Sequence, residues 1–513
     1  MRALVGVHDA RRAGGDATIA ALTRALDGEG AVRTHVAGPL VVAWTGGEPA
    51  AVHPLCIVDG VVYAGLPGRG SGETTNAAVG AAYREHGEAL FERLRGDFAI
   101  LIFDERAEDG LLVRDQLGGR GLCWHRSGER LVFASDVRWL LRLLTTRPNP
   151  DPVAVAHWIG MSGVPATRTL YEGINRLDAA HLLRFGKRPE SPHHYWSPRY
   201  ARPNPASRDE HITALRGRIV EAVRRQTTAE PLAMLLSGGL DSSTVAAIAA
   251  GLGDDRRPRR AYSATFPDHP SIDEGDLVDL LCSRLDLTST RVVVRSGSVV
   301  DGAAEYIDHW QLPPPSPNLF FWFPLMRRAA ADGMVGFLDG EGGDELFGLS
   351  PYLMADRIRR GQVRSAFDLA RRIPGGGPHL RFEHLWPFVK RFGLRGATPP
   401  GVHALIRRRR ASTVHLPPYL RAETCQPPEP PSAETRNSRA PSGYRNSMRP
   451  DRAGSAAGGS GDTSWSRRWI VGASRGDLVS GRSPASPISR AWRPGWSRSA
   501  PLPFPLSWTA CRS

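Results

Sequence analysis

Several residue types that mark particular classes of protein are scarce in this 513-residue sequence. Its 5 cysteines are widely spaced and form no metal-binding motif, which is the usage expected in a reducing cytoplasm. No apolar run is long enough to span a bilayer, and the N-terminal segment lacks the apolar core of a signal peptide. We therefore expect a cytoplasmic protein with no membrane partner.

Lysine is nearly absent, because Lys187 and Lys390 are the only two and arginine takes every other basic position. The formal net charge is +14, but residues 421–513 alone hold 14 arginines against 6 acidic residues. Aromatic and basic residues do not interleave in any segment that looks folded, so the charge does not predict nucleic-acid binding. With 41% hydrophobic residues the chain is globular in bulk, and its length predicts two or more domains.

The most informative segment is 231–251, in which an apolar run ends at a glycine-serine turn and an alanine-rich helical pattern follows. A buried strand that passes through glycines onto a helix N-terminus is typical of a phosphate site. The backbone amides and hydroxyls of the turn can donate to phosphate oxygens, and Asp241 can hold a divalent cation. The turn has no lysine, which distinguishes it from the phosphate loop of kinases. It reads Ser237, Gly238, Gly239, Leu240, Asp241, Ser242 and Ser243.

A second loop follows another apolar run at 335–348 and gathers four carboxylates, those of Asp339, Glu341, Asp344 and Glu345, among glycines. Carboxylates this close require a cation or a basic partner. Alone, the loop is more simply explained as a solvated acidic turn. The first loop resembles the pyrophosphate loop of ATP pyrophosphatases, and the two loops together resemble the synthetase domain of the asparagine synthetase family.

We expect an α/β protein with four regions, of which the resemblance implies the first three and composition the last. A glutamine amidotransferase-like αββα sandwich of the N-terminal-nucleophile class spans 1–145, and a linker spans 146–207. A doubly wound parallel-sheet ATP pyrophosphatase domain, incomplete at its end, spans 208–424, and a disordered tail spans 425–513. The residue pattern itself predicts antiparallel strands over 1–145 with one helix at about 76–93. It then predicts alternating helices and strands from 208 onward, with both loops at carboxyl ends of strands.

The first region departs from the family where glutamine hydrolysis would occur. The family's mature chain begins with a cysteine whose α-amine activates its own thiol, and this chain has Arg2. Neither Cys56 nor Cys123 carries such an amine. The family's Asn-Gly-Glu segment corresponds to Asp59-Gly60-Val61, and the acidic substrate-binding stretch to residues 71–76. We predict that this region keeps its fold without glutaminase activity.

The last region also departs from the family. Residues 425–513 show no helical or strand period, yet hold five of the 13 tryptophans, whereas a natural disordered tail is normally poor in tryptophan. The family's late lysine near the active site has no counterpart there. We interpret the tail as an out-of-frame translation and predict that the chain as written is weakly active or inactive.

The resemblance also implies a set of site residues for ATP and Mg²⁺. Asp241 and Asp344 match the residues that hold magnesium, and Glu341 matches a glutamate that could accept a proton from the attacking amine. The role of Asp273-Glu274 is open, with an acidic pair at a helix N-terminus as the simpler interpretation. The residues that match ATP contacts are Ser237, Gly238, Gly239, Asp241, Ser242 and Ser243 for the phosphates, and Leu236, Ala264, Asp339 and Gly340 for the adenine.

Three functions follow from these residues. The chain would adenylate a small-molecule or peptide carboxylate, aspartate by default, and then form an amide with ammonia. Alternatively, a substrate amine attacks, as in lasso-peptide cyclases and β-lactam synthetases. A third hypothesis is an inactive remnant that binds nucleotide only. Whether the chain forms a homodimer is left open.

Overall fold

In a computed structural model of the chain, the described residues are 3–11, 15–47, 53–66, 75–159, 164–198, 205–227, 231–253, 257–294, 299–314, 319–347, 353–372, 386, 389–394 and 397–398. Arg2, the stretch 71–74 and the tail predicted at 425–513 lie outside them. Two compact units divide the described part of the chain, the first ending at Gly340 and the second beginning at Glu341.

The first part of the first unit is built from two antiparallel sheets. The six-stranded sheet has the order β2-β3-β1-β8-β7-β9 and the five-stranded sheet the order β11-β10-β6-β5-β4. Their strands are β1 (Ala3–Asp9), β2 (Val32–Ala37), β3 (Leu40–Thr45), β4 (Leu55–Ala64), β5 (Arg95–Asp104), β6 (Asp109–Arg114), β7 (Cys123–Ser127), β8 (Arg130–Ala134), β9 (Ile174–Arg176), β10 (His181–Gly186) and β11 (His193–His194).

Strict alternation along these strands places one set of side chains between the sheets and the other against helices. On β5, Leu101 and Phe103 pack between the sheets, whereas Ile100 and Ile102 face the helices. The four layers are therefore helix, sheet, sheet and helix. The helices are α1 (Gly15–Ala25), α2 (Thr75–His86), α3 (Ala89–Arg93), α4 (Val137–Leu143) and α5 (Pro152–Ile159).

The helix predicted at about 76–93 is broken in two. Gly87 has a φ of +57°, a left-handed conformation that ends α2, and its amide donates to Tyr83 O at 2.8 Å. Glycine adopts this conformation without the steric cost of a side chain, so the break is local to this residue.

A parallel sheet with strand order β14-β13-β12-β15 forms the second part of the first unit. Its strands are β12 (Leu232–Leu235), β13 (Arg260–Thr265), β14 (Thr288–Val293) and β15 (Gly336–Leu338). Its helices are α6 (Arg208–Gln226), α7 (Leu240–Ala250), α8 (Gly275–Leu285), α9 (Val299–Trp310) and α10 (Leu319–Ala331). Met234 packs toward α6, α7 and α8 on one face, whereas Ala233 packs toward α10 on the other. The predicted mixed α/β fold with a parallel sheet is confirmed.

Contacts between the antiparallel and parallel parts of this unit centre on Arg138 of α4. Its guanidinium lies 4.4 Å from the centre of the Trp310 ring at the end of α9, and Asp136 pairs with it at 3.0 Å. Trp158 of α5 donates to Pro314 O at 3.2 Å. These contacts hold the end of α9 and the segment after it against the antiparallel part.

The second unit is helical over its described residues. It contains α11 (Gly343–Phe347), α12 (Leu353–Arg359), α13 (Val363–Arg372) and a π-helix at Val389–Leu394. Met354, Leu369 and Val389 form its small core. The sequence predicts helices over 348–420, and the described part of that range agrees.

Candidate functional site

Both glycine-rich loops leave neighbouring strands of the parallel sheet. β12 pairs with β15 in parallel, with Leu232 opposite Gly336 and Met234 opposite Leu338. Because the carboxyl ends of parallel strands lie at one edge, the two loops emerge side by side at the edge where ligands bind in such sheets. The prediction that both loops follow the carboxyl ends of strands is confirmed.

The two loops touch at Gly340. A Cβ atom at this position would lie 2.4 Å from the backbone nitrogen of Ser242 and 2.6 Å from the carbonyl carbon of Asp241. No side chain fits at that distance from backbone atoms, so the close approach of the loops depends on this glycine. The sequence joins Asp241 and Gly340 only through the family resemblance, and the fold places them in contact.

Hydrogen bonds within the first loop fix its shape. The Oγ atoms of Ser237 and Ser242 lie 3.0 Å apart, and Ser237 N donates to Ser242 Oγ at 3.2 Å. Ser243 Oγ donates to Gly239 O at 2.6 Å. All three hydroxyls therefore hold the turn together in this structure. That they also bind phosphate stays a prediction, which requires an exchange of these bonds.

The first turn of α7 carries Asp241, half-buried, directly after the loop. The N-cap residue Gly239 has no side chain to accept from the first-turn amides. Those amides give the N-terminus of this 11-residue helix its partial positive charge. The loop and helix together therefore suit an anion.

A carboxylate already lies against the loop. Gly238 N donates to Glu274 Oε2 at 2.8 Å. A Cβ atom on Gly238 would lie 2.8 Å from Leu277 Cδ1 and 3.0 Å from Glu274 Cβ, so the start of α8 packs on this glycine. The Glu274 carboxylate oxygen is anionic, as a phosphate oxygen would be, and it accepts from a loop amide. The residues of the loop therefore fit a phosphate group.

The neighbouring carboxylate of Asp273 has a different role. It accepts from Phe266 N at 2.6 Å, from Gly275 N at 2.8 Å and from Thr265 Oγ1. The bond from Thr265, followed by the two backbone bonds, lowers the pKa of Asp273. Asp273 thus closes the turn between β13 and α8, whereas Glu274 reaches the loop. The sequence could not separate these roles, because the partner of Glu274 lies 36 residues away.

The residues predicted to line the adenine lie at the ends of three adjacent strands. Leu236 is buried and continues β12, where its amide donates to Tyr262 O at 3.0 Å. Ala264 lies near the end of β13, and Asp339 and Gly340 directly follow β15. The sheet brings these four residues to one edge. Their contact with adenine stays a prediction.

Glu341 and Asp344 belong to the second unit, where both side chains are exposed. Gly342 has a φ of +87°, and its carbonyl accepts from Leu346 N at 3.1 Å, so a tight turn leads into α11. A magnesium ion shared by Asp241 and Asp344 stays a prediction, since the two residues belong to different units. Within the described residues, no three or more histidine, cysteine or acidic side chains are grouped to hold a metal ion.

In the antiparallel part, Asp59 is engaged in a buried ion pair. Arg120 Nη2 lies 2.7 Å from Asp59 Oδ1, and the two side chains are 5% and 1% exposed. The adjacent Gly60 has a φ of +118°, and a Cβ there would lie 2.0 Å from Asp97 O. A lone aspartate in an apolar strand was the only sequence signal for this pair, and it does not identify the arginine.

The two cysteines of this part are buried among apolar side chains. Burial raises the pKa of Cys56 to about 12 and that of Cys123 to about 11. Both groups are therefore thiols at neutral pH, and a thiol is a poor nucleophile.

A cavity of about 60 Å³ lies between the antiparallel part and α6. Tyr63, Asp97 and Gln116 line one side, and Ala222, Arg225 and Gln226 line the other. None of its lining residues belongs to either loop, so it is separate from the candidate site. Among the described helices, none combines the length and apolar character needed to cross a bilayer.

Comparisons with known proteins agree with this arrangement. Residues 214–451 match the asparagine synthase family model, and residues 71–196 match the glutamine amidotransferase domain. Asparagine synthetase (glutamine-hydrolyzing) 3 of Bacillus subtilis is 26% identical over 55% of this chain and 47% of its own length. Amidase chry2 of Gibberella zeae is 26% identical over 54% of this chain and 43% of its own. Amidase chyE of Penicillium rubens is 26% identical over 52% and 42%.

The chain thus spans less than half the length of these curated relatives. A solved glutamine phosphoribosylpyrophosphate amidotransferase from B. subtilis has a TM-score of 0.27 at 8% identity, covering 56% of this chain and 65% of its own. That similarity is too low to support a conclusion. Fold and motifs define a mixed α/β protein with an amidotransferase-like part and a synthase-type part. Together, the two matched regions and the relatives support the asparagine synthetase family for this chain.

Proposed function

We propose that this chain is an ATP-dependent ligase that forms an amide through an acyl-adenylate. The observation that carries the proposal is the contact of the two loops at one edge of the parallel sheet, with Gly340 against Asp241 and Ser242. The carboxylate on Gly238 N supports it, because that amide already donates to an anionic oxygen. The family's N-terminal-nucleophile sandwich and ATP pyrophosphatase fold are part of the proposal.

The reaction would take place in two steps. A carboxylate oxygen of the substrate attacks the α-phosphorus of ATP, the α–β phosphoanhydride bond breaks, and pyrophosphate leaves. An amine then attacks the acyl carbon, AMP leaves, and Glu341 accepts a proton from the amine. The loop amides and the start of α7 would orient the phosphates and stabilise their charge. Asp241 and Asp344 would hold Mg²⁺, which offsets charge on the departing pyrophosphate.

The source of nitrogen in this proposal is free ammonia or a substrate amine, without glutamine hydrolysis. The buried thiols of Cys56 and Cys123 and the engagement of Asp59 by Arg120 support this part. Purified protein incubated with glutamine and a carboxylate substrate is expected to release no glutamate above a no-enzyme control. Release of glutamate above that control would contradict it.

The nature of the substrate carboxylate is the least constrained part. Two relatives are named amidases, which favours an amide other than asparagine as an alternative product. A lasso-peptide or β-lactam type cyclisation, in which carboxylate and amine belong to one molecule, is the corresponding second candidate. The third candidate is an inactive remnant that binds nucleotide only. It follows from the proposed domains, in which the synthase-type domain at 208–424 is incomplete and a disordered tail at 425–513 replaces its end.

Exchange of labelled pyrophosphate into ATP tests the proposal with the full chain. We expect weak exchange, in line with the altered C-terminal region, that depends on Mg²⁺ and on a carboxylate, with aspartate and short peptides as first substrates. Asp276→Asn, which removes an exposed charge from α8 outside the loops, is the matched control and should exchange like the parent. Binding of ATP without exchange for any carboxylate would leave only the remnant hypothesis. Absence of ATP binding would overturn the nucleotide site.

A further inference from the structure

The contact between Glu274 and the first loop has a consequence for phosphate binding. Gly238 N, a backbone amide of the loop, donates to the carboxylate at 2.8 Å. An amide N–H donates one strong hydrogen bond, so a phosphate oxygen and the Glu274 carboxylate compete for it. A phosphate group and the Glu274 carboxylate are both anionic, so they also repel each other when both lie close to this amide. A polyphosphate that uses this amide must therefore displace Glu274.

The position of Glu274 is held by the backbone around it and not by the loop alone. Glu274 is the N-cap residue of α8, and its carbonyl accepts from Val278 N at 3.1 Å. Asp273 closes the preceding turn through bonds from Phe266 N and Gly275 N. Leu277 packs on Gly238. Displacement of the carboxylate therefore requires a side-chain rotation, after which Glu274 remains poised beside the loop.

We propose that Glu274 is a positioning residue that weakens the binding of polyphosphate by the loop and so favours the departure of pyrophosphate. The inference rests on the proposed ATP-dependent function. In the absence of phosphate, the carboxylate holds the loop through its bond from Gly238 N. With phosphate bound, its charge repels the ligand, and the bond to Gly238 N re-forms as pyrophosphate leaves.

A purely structural role gives the opposite sign. If Glu274 serves only to hold the loop in the shape that binds phosphate, its removal loosens the loop and weakens binding. If it competes with phosphate, its removal strengthens binding. Glu274→Gln keeps the length and an acceptor oxygen while removing the charge, and Glu274→Ala removes both.

The experiment is calorimetric titration of the full-length parent, Glu274→Gln, Glu274→Ala and Asp276→Asn with magnesium pyrophosphate and, separately, with Mg-ATP. We expect Glu274→Gln to bind pyrophosphate about five- to tenfold more tightly than the parent, the size of effect for charges at a solvent-exposed site. Glu274→Ala should also bind more tightly. Asp276→Asn should stay within about twofold, because screening weakens more distant charges.

The outcomes separate the two proposals. Parent binding with equal or weaker binding by both Glu274 variants, whose folding is verified by circular dichroism, overturns the inference about Glu274 and leaves the nucleotide site in place. Absence of ATP and pyrophosphate binding by all four proteins overturns the nucleotide site and the inference with it. In an active parent, Glu274→Gln should also lower the KM for ATP while kcat falls or stays constant, which a loosened loop would not produce.

Discussion

Two regions of this chain resemble functional domains, and they differ in the burial of their charged groups. In the antiparallel part, Asp59 and Arg120 pair in the interior with almost no exposed surface. At the edge of the parallel sheet, Glu274 is exposed and shares an amide that a ligand could take. The first arrangement stabilises one structure, because separating a buried pair is costly. The second can change partners at little cost, which is what a binding site requires.

The glycines of the two regions show the same contrast. Gly60 is required by the backbone of Asp97, a neighbour within the same antiparallel sheet. Gly340 is required by the backbone of Asp241 and Ser242, which belong to the other loop. Gly60 allows two neighbouring strands of one sheet to approach closely, and Gly340 allows two loops from distant parts of the sequence to make contact. The glycine of the antiparallel sheet and the glycine of the candidate site can therefore be tested separately.

The largest expected effect is the loss of pyrophosphate exchange on substitution in the two loops at the edge of the parallel sheet. Asp241→Asn and Asp344→Asn should each reduce pyrophosphate exchange to below detection, because an amide binds Mg²⁺ far more weakly than a carboxylate. The assay is exchange in each variant, with Asp276→Asn as the control. Near-normal exchange in Asp241→Asn or Asp344→Asn, in a preparation whose parent is active, would show that the variant residue does not hold the metal.

The next effect concerns the buried pair of the antiparallel part. Arg120→Met should destabilise this part by about 3–5 kcal/mol, because it removes the guanidinium from a buried carboxylate. The double variant Asp59→Leu/Arg120→Met should recover most of that loss. Hydrogen exchange in peptides from β4 measures the local opening free energy.

The matched control is Arg188→Met, whose guanidinium pairs with Asp109 at 3.2 Å but is 81% exposed. Such a surface pair contributes about 1 kcal/mol or less. If Arg120→Met costs no more than Arg188→Met, the buried pair does not stabilise this region, and the contrast between the two regions loses its energetic basis.

The elements that the sequence predicted best are those whose signal is local. The alternation of helices and strands predicted from 208 onward begins with α6 at Arg208, and the apolar run that starts at 335 contains β15, within the usual uncertainty of element ends. α9 was not predicted, because Gly302 lies inside it and lowers its helix propensity. The contacts of Asp59 with Arg120 and of Gly238 with Glu274 join residues far apart in the sequence, so no local pattern indicates them.

A smaller effect is expected at the contact between the loops. Gly340→Ala should cost about 1–3 kcal/mol, the usual penalty for overpacking, because its Cβ would lie 2.4 Å from a backbone nitrogen that cannot rotate away. It should also weaken ATP binding, since the two loops must separate. Thermal unfolding and calorimetric titration measure the two effects. Gly217→Ala is the control, because its Cβ meets nothing within 4 Å and lies inside α6, where alanine is favoured. A Gly340→Ala protein as stable as Gly217→Ala would rule out the contact.

The smallest effect is a pH dependence that originates at Asp273, beside the same loop. Its hydrogen bonds lower its pKa in the folded protein below the ordinary value of 3.8. A carboxyl whose folded pKa is depressed contributes stability that is fully present above the unfolded pKa and is lost as the pH falls through the folded pKa. Asp273→Asn should therefore be less stable than the parent by about 1 kcal/mol or less near neutral pH, since the group is only half-buried. The difference should stay constant down to about pH 5 and shrink as the pH falls below about 4, where the parent carboxyl also becomes neutral. Urea denaturation of both proteins across this range measures it. A difference that grows on acidification would mean that Asp273 is protonated in the folded protein, and that the turn before α8 is not held by its charge.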